Sequence, residues 1–264
     1  FPCQAFSVAG YRKGFDDKRG NLFFQIMRLV DEMEQKPKVL FLENVKNFKG
    51  HDKGKTFQIV CKEIQKRGYS IFHKVLNTAI YTDIPQNRER IFIICFKDEK
   101  DWEFIGKPTV SSHFNMLFPP QPSHSRKSIR KMLEKGKVDD KYYYDETKYM
   151  YDELKEHMKS RDTVYQWRRV YVRENKNNLC HTLTANMGTG GHNVPLIIDD
   201  SGLFRKLTPR ECFNFQGFGS SFKFPEDVSN GQLYKQAGNA VTVHLIQKLA
   251  NSIKKALKTI DAKN

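Results

Sequence analysis

The sequence predicts a mixed α/β fold, and three features of its 264 residues carry that reading. Helix-spaced apolar residues alternate with short continuous apolar runs, the runs are rich in β-branched and aromatic side chains, and proline or glycine marks their borders. Such alternation is the pattern of a doubly wound sheet with helices on its faces. Beyond Phe96 the pattern breaks up, which implies a second, smaller domain, mostly irregular and β.

Taken in order, NLFFQIMRLVDEME (21–34) spaces its apolar residues as a helix does, and KPKVLFLENV (36–45) is a short apolar run behind a proline, hence a buried strand. GKTFQIVCKEIQKRGY (54–69) returns to helical spacing and stops at Gly68; YSIFHKVLN (69–77) and RERIFIICF (88–96) are β-rich. KPTVSSHFNMLFPPQPSHS (107–125) breaks periodicity and reads as an irregular crossing. A tyrosine run (142–144) and the glycine-rich NMGTGGHN (186–193) follow. In RKLTPRECFNFQGF (205–218) Thr208, Pro209 and Glu211 form the cap, first turn and third position of a short helix. GQLYKQAGNAVTVHLIQKLANSIKKALKTI (231–260) reads as one long terminal helix, with Val241, Leu245, Leu249 and Ile253 on one face and Gly238 and Asn239 near its start. The expected divisions are 1–106 for the first domain, 107–236 for the second with its hinge, and 237–264 for the helix that returns to the first.

Lys and Arg number 45 against 30 Asp and Glu, a formal charge of +15, which suggests a polyanionic partner, most economically nucleic acid. No apolar run is long enough to cross a bilayer, so a membrane role is not expected. The five cysteines are odd in number, widely spaced and without a C-x-x-C pair, which indicates neither a disulfide framework nor a zinc site and points to a reducing cytosol. The opening FPCQAF lacks the basic and apolar regions of a signal peptide.

Several residues could carry chemistry. Cys3, rigidly presented by its proline, is either a nucleophile or a buried structural thiol. Glu43 and Asn44 stand at the C-terminal edge of a buried strand, where open α/β sheets bind ligands, although a solvated strand end would look the same. Gln86, Arg88 and Arg90 alternate before the next strand, and their guanidiniums could clamp an anion or form a surface charge run. Gly238 and Asn239 offer backbone N–H groups either to a ligand or to a turn.

In their order along the chain, Pro-Cys-Gln, Glu-Asn-Val, Gln-x-Arg-x-Arg, Leu-Thr-Pro-Arg-Glu with Gln-Gly-Phe, and Gly-Asn-Ala-Val resemble the DNA cytosine-5 methyltransferase family of bacterial restriction-modification systems. The likeness implies a Rossmann-like methyltransferase sheet and a target-recognition domain with Thr182 and Leu183 at its core. It implies catalytic roles for Cys3, which attacks carbon 6 of cytosine, for Glu43, which serves ring N3, and for Arg90, which orients both. Pro2, Gln4, Ser7, Asn44, Gln86, Arg88, Thr182 and Leu183 would contact substrate or hold the catalytic loop, and Gly238, Asn239 and Ala240 would contact S-adenosylmethionine; no metal is implied. The partner implied is double-stranded DNA with the target cytosine flipped out, and the setting is the cytoplasm of a bacterium or of a phage-infected host.

One departure matters. The family begins with a strand and a Phe-x-Gly-x-Gly turn that holds the cofactor, and no such turn precedes Cys3 here, so a missing N-terminal segment or a separate chain is expected to supply it. The alternatives are a tRNA cytosine-5 methyltransferase, a DNA-binding fragment or subunit without catalysis, and a cysteine hydrolase, which would need a histidine partner for Cys3.

Overall fold

The computed structural model describes residues 1, 22–97, 110–121, 126–188 and 192–261. Its elements run α1 (Leu22–Glu32), β1 (Val39–Val45), α2 (Lys55–Gln65), β2 (Tyr69–Asn77), α3 (Thr78–Tyr81), β3 (Glu89–Lys97), α4 (Val110–Leu117), α5 (Tyr151–His157), β4 (Tyr165–Arg168), β5 (Val172–Glu174), β6 (His192–Ile198), β7 (Phe204–Lys206), α6 (Pro209–Asn214), α7 (Asn230–Asn239) and α8 (Val243–Asp261). They form two compact units, residues 1–76, 89–120 and 248–264 in the first, and 77–88 and 121–247 in the second.

In the first unit the strand order is β1-β3-β2, and β1 pairs antiparallel with β3, with Glu43 opposite Phe92 and Val45 opposite Arg90. β3 is the middle strand, so both its faces need cover and its sequence is apolar throughout. Ile91, Ile93 and Cys95 join the core made by Phe23, Met27 and Val30 of α1 and by Val60 and Ile64 of α2. On the opposite face Phe96 meets Phe114 of α4 at 5.2 Å between ring centroids, and Phe72 of β2 meets the same ring at 5.1 Å. After α2 the chain turns back at Gly68, whose φ of +75° suits a residue without Cβ.

The second unit carries an antiparallel sheet in the order β5-β4-β6-β7. One side packs Tyr165, Trp167, Val194 and Leu196 against Met150, Leu154 and Met158 around α5. A larger core gathers Leu183, Leu207, Phe213, Phe215, Leu233 and Ala237. The capping box is present as the spacing predicts: the Thr208 side chain accepts from Glu211 N and the Glu211 side chain accepts from Thr208 N.

The tail departs from expectation. Two helices replace the single long one, because α7 ends at Asn239, Ala240 is extended at φ −66°, ψ 156°, and α8 begins at Val243. Gly238 and Asn239 therefore close a helix instead of opening one. The expected buried face survives where Leu245 and Leu249 are buried in α8, while Val241 precedes the helix.

Candidate functional site

The expected site residues are distributed over both units. Cys3, with Pro2, Gln4 and Ser7, lies outside the described residues. The C-terminal half of β1 brings Glu43 to Arg90 at the start of β3. Antiparallel pairing sets Arg90 opposite Val45, two residues beyond Glu43, a diagonal that a long guanidinium side chain spans. Its Nε lies 3.0 Å from Glu43 Oε1, and both side chains are mostly withdrawn from solvent. Asn44 is buried between them in sequence, and its Nδ2 donates to the Phe1 carbonyl at 3.2 Å while its Oδ1 accepts from Val45 N at 2.9 Å. Phe1 is anchored by its ring as well, 5.2 Å from Phe48 and 5.6 Å from Phe23. The residue two before Cys3 is thus tied to the strand end that carries Glu43, a link no spacing rule would find.

In the second unit Gln86 and Arg88 are buried, and Gln86 Nε2 and both Nη atoms of Arg88 donate to backbone carbonyls. Gln86 Nε2 donates to Phe215 O at 2.6 Å, and its Oε1 accepts from Leu183 N at 3.3 Å. Arg88 donates Nη1 to Leu183 O at 3.0 Å and Nη2 to Gly238 O at 3.1 Å and Ala240 O at 2.7 Å. The Thr182 hydroxyl donates to Asn87 O at 2.6 Å. Three sequence motifs are pinned together in this way, Gln-x-Arg, Thr-Leu and Gly-Asn-Ala, along with Phe215 just before Gln-Gly-Phe. A guanidinium is suited to the task because it presents five donors in one plane.

Gly238 has no room for a side chain, since a Cβ there would overlap the Thr184 carbonyl and the Ala185 nitrogen. Gly238→Ala is expected to cost about 3 kcal/mol of stability, the upper end for overpacking, read as a fall in the urea midpoint. For S-adenosylmethionine the consequence is that Gly238 and Ala240 already serve Arg88 and the 184–185 backbone. Asn239, which is exposed, is the one of the three with a side chain open to a ligand. These residues fit one polar contact to the methyl donor.

The described cysteines are poor nucleophiles. Burial raises the thiol pKa of Cys61, Cys95, Cys180 and Cys212, so each is held as the protonated thiol. Among the described residues no group of three or more His, Cys, Asp or Glu could hold a metal ion, and no helix is long and apolar enough to cross a membrane. Two features escaped the sequence. His181 beside the Thr-Leu pair is buried, and Arg205 and Glu211 form a core ion pair; neither has a spacing signal, because their partners come from other elements.

Residues 1–255 match the sequence profile of the family described as C-5 cytosine-specific DNA methylase. The chain is 51% identical over 261 residues to type II methyltransferase M.Bsp6I of Bacillus sp. (strain RFL6), covering 97% of this chain and 78% of that protein. It is 36% identical to type II methyltransferase M.HhaI of Haemophilus parahaemolyticus, over 97% of this chain and 75% of that one. Among solved structures, the fold is similar to the methyltransferase EhMeth of Entamoeba histolytica, with a TM-score of 0.68 at 18% identity, over 97% of this chain and 75% of that one. It is also similar to the Dnmt2 methyltransferase of S. pombe, with a TM-score of 0.66 at 18% identity, over 98% and 76%.

Proposed function

The chain belongs to the C-5 cytosine-specific DNA methylase family and is a DNA cytosine methyltransferase, and we propose that it acts on a cytosine flipped out of duplex DNA through a covalent adduct at Cys3. The observation that carries the proposal is the Glu43–Arg90 pair at the end of β1, on the strand to which Asn44 ties Phe1. Bound S-adenosylmethionine supplies the methyl group, as in the family, and Asn239 would help to hold it.

The chain's own residues activate the ring. Carbon 5 of cytosine is a weak nucleophile, and attack of the Cys3 thiolate on carbon 6 makes it enamine-like. Negative charge then develops on the ring at N3, where the Glu43 carboxyl group donates a proton or a hydrogen bond. Arg90 engages Oε1, which leaves Oε2 to face the base. After methylation a base removes the carbon 5 proton, the carbon 6–sulfur bond breaks and Cys3 leaves as thiolate. The raised thiol pKa of each described cysteine supports Cys3 in this role, because none of them is poised to ionise. Gln86 and Arg88 act as the frame that holds the Thr182–Leu183 segment of the target-reading unit.

Cys3→Ala is expected to abolish methyl transfer and to leave no denaturation-resistant complex with duplex DNA carrying 5-fluorocytosine, whereas the unaltered protein is trapped. A trapped complex with the alanine variant would remove the covalent role. Activity on tRNA with none on duplex DNA would overturn the substrate.

A further inference from the structure

A second ion pair stands beside Glu43–Arg90 where β1 ends and β3 begins. Lys46 Nζ lies 2.9 Å from Glu89 Oε2, one step past the last register pair, Val45 opposite Arg90. This corner of the sheet therefore holds two carboxylates, Glu43 and Glu89, and two cations, Lys46 and Arg90. They are paired crosswise, the arginine with Glu43 and the lysine with Glu89.

The place of the guanidinium makes that choice matter. Arg90 Nη1 donates to the Glu89 carbonyl at 2.8 Å while Nε lies 3.0 Å from Glu43 Oε1. The guanidinium thus touches the backbone of the residue whose carboxylate is the rival of Glu43 for it. Glu89 carries that carboxylate on two methylenes, a reach sufficient to close on the guanidinium, and Lys46 draws it off. An ammonium is a compact charge on a flexible stem, whereas a guanidinium is a planar fork that fixes the carboxylate it meets. The rigid cation is in this way kept for the carboxylate that needs a set orientation. The Lys46 and Glu89 side chains are 53% and 41% exposed, against 28% for Glu43 and 16% for Arg90. A pair so exposed adds little to folding, so its effect falls on the more buried pair at its side.

We propose that Lys46 is a positioning residue for the Glu43 carboxyl group: it holds the Glu89 carboxylate away from Arg90 and so keeps the guanidinium on Glu43 Oε1, with Oε2 left for the base. The inference rests on the role of Glu43 proposed above and adds the residue that protects its orientation. Without the ammonium two carboxylates share one guanidinium, and Glu43 spends part of its time turned from the ring.

Single-turnover methyl transfer at saturating duplex DNA, set beside affinity for the same duplex from 50 to 200 mM salt, tests this with the full chain. Lys46→Met is expected to transfer methyl about fivefold more slowly, the weight of one exposed ion pair, with the affinity and salt slope unchanged. Adding Glu89→Gln removes the rival carboxylate and should recover most of the rate, and Lys46→Arg should keep it. A merely structural pair predicts no such recovery, because the double variant lacks the pair altogether. Lys46→Met at the unaltered rate, or a double variant as slow as the single one, would overturn the proposal. So would a loss seen as weaker binding with a salt slope flatter by about 0.9, which would make Lys46 a phosphate contact. Glu43→Gln at the unaltered rate would instead remove the role of Glu43, and this inference with it. A slow Glu43→Gln beside a normal Lys46→Met would overturn the inference alone.

Discussion

Replacing Glu43 with glutamine is expected to slow methyl transfer by about 10²–10⁴-fold, the span of a positioned proton donor or acceptor, with little change in affinity for duplex DNA. Glutamine has the same length, and its carbonyl oxygen can still accept from Arg90 Nε, which lies 3.0 Å from Glu43 Oε1. Its amide can hydrogen-bond ring N3 but cannot transfer a proton to it, so the loss should fall on the chemical step and not on binding. Single-turnover methyl transfer from labelled S-adenosylmethionine, set beside filter binding of the same duplex, separates the two. A variant with the wild-type rate would remove Glu43 from the mechanism. Arg90→Lys should lie between the two proteins, because an ammonium keeps the charge but not the planar guanidinium geometry that orients the carboxylate.

Arg205→Met is expected to cost about 3–5 kcal/mol of folding stability, read from urea unfolding followed by circular dichroism. Arg205 is 2% exposed and Glu211 0%. Their contacts are bidentate, Nη1 to Oε2 at 2.8 Å and Nη2 to Oε1 at 2.7 Å. Glu211 also accepts from the backbone nitrogens of Thr208 at 2.8 Å and Glu134 at 2.9 Å, so it closes the α6 cap and pins the 129–134 turn at once. Removal of the arginine strands a charge that water cannot reach, and that penalty dominates. Adding Glu211→Gln to Arg205→Met should recover part of the loss, since the amide carbonyl can still accept a backbone N–H and no charge remains. A single variant within 1 kcal/mol of the unaltered protein, as for an exposed pair, would show that the charge is not stranded.

Both expectations bear on how much of this protein can be read from the sequence. β1 spans VLFLENV, β2 spans YSIFHKVLN, and the cap at Thr208 forms with Pro209 and Glu211 in their predicted places. The helix predicted over 21–34 appears as α1, and the turn at Gly68 ends the segment after α2. These features depend on periodicity, caps and turns that act over about four residues, so spacing alone carries them. The break at 240–242 was invisible for the opposite reason. Apolar spacing continues through it, and the helix is interrupted where the Gly238 and Ala240 carbonyls are taken by Arg88.

By itself the sequence determined the two sets of elements, the basic character and the ordered motifs that mark the methylase family. Only the tertiary structure decided what those motifs do to one another. It put β3 between β1 and β2, aligned Glu43 with Arg90, and spent Arg88 on carbonyls 95 and 150 residues away. It also joined Asn44 to Phe1 across 43 residues and buried His181 in the second unit, with its Nδ1 3.2 Å from Asn175 Nδ2. The physical reason is range: local propensity and capping are settled by neighbours in the chain, whereas a buried polar side chain takes whichever partner the packed core brings within hydrogen-bond distance.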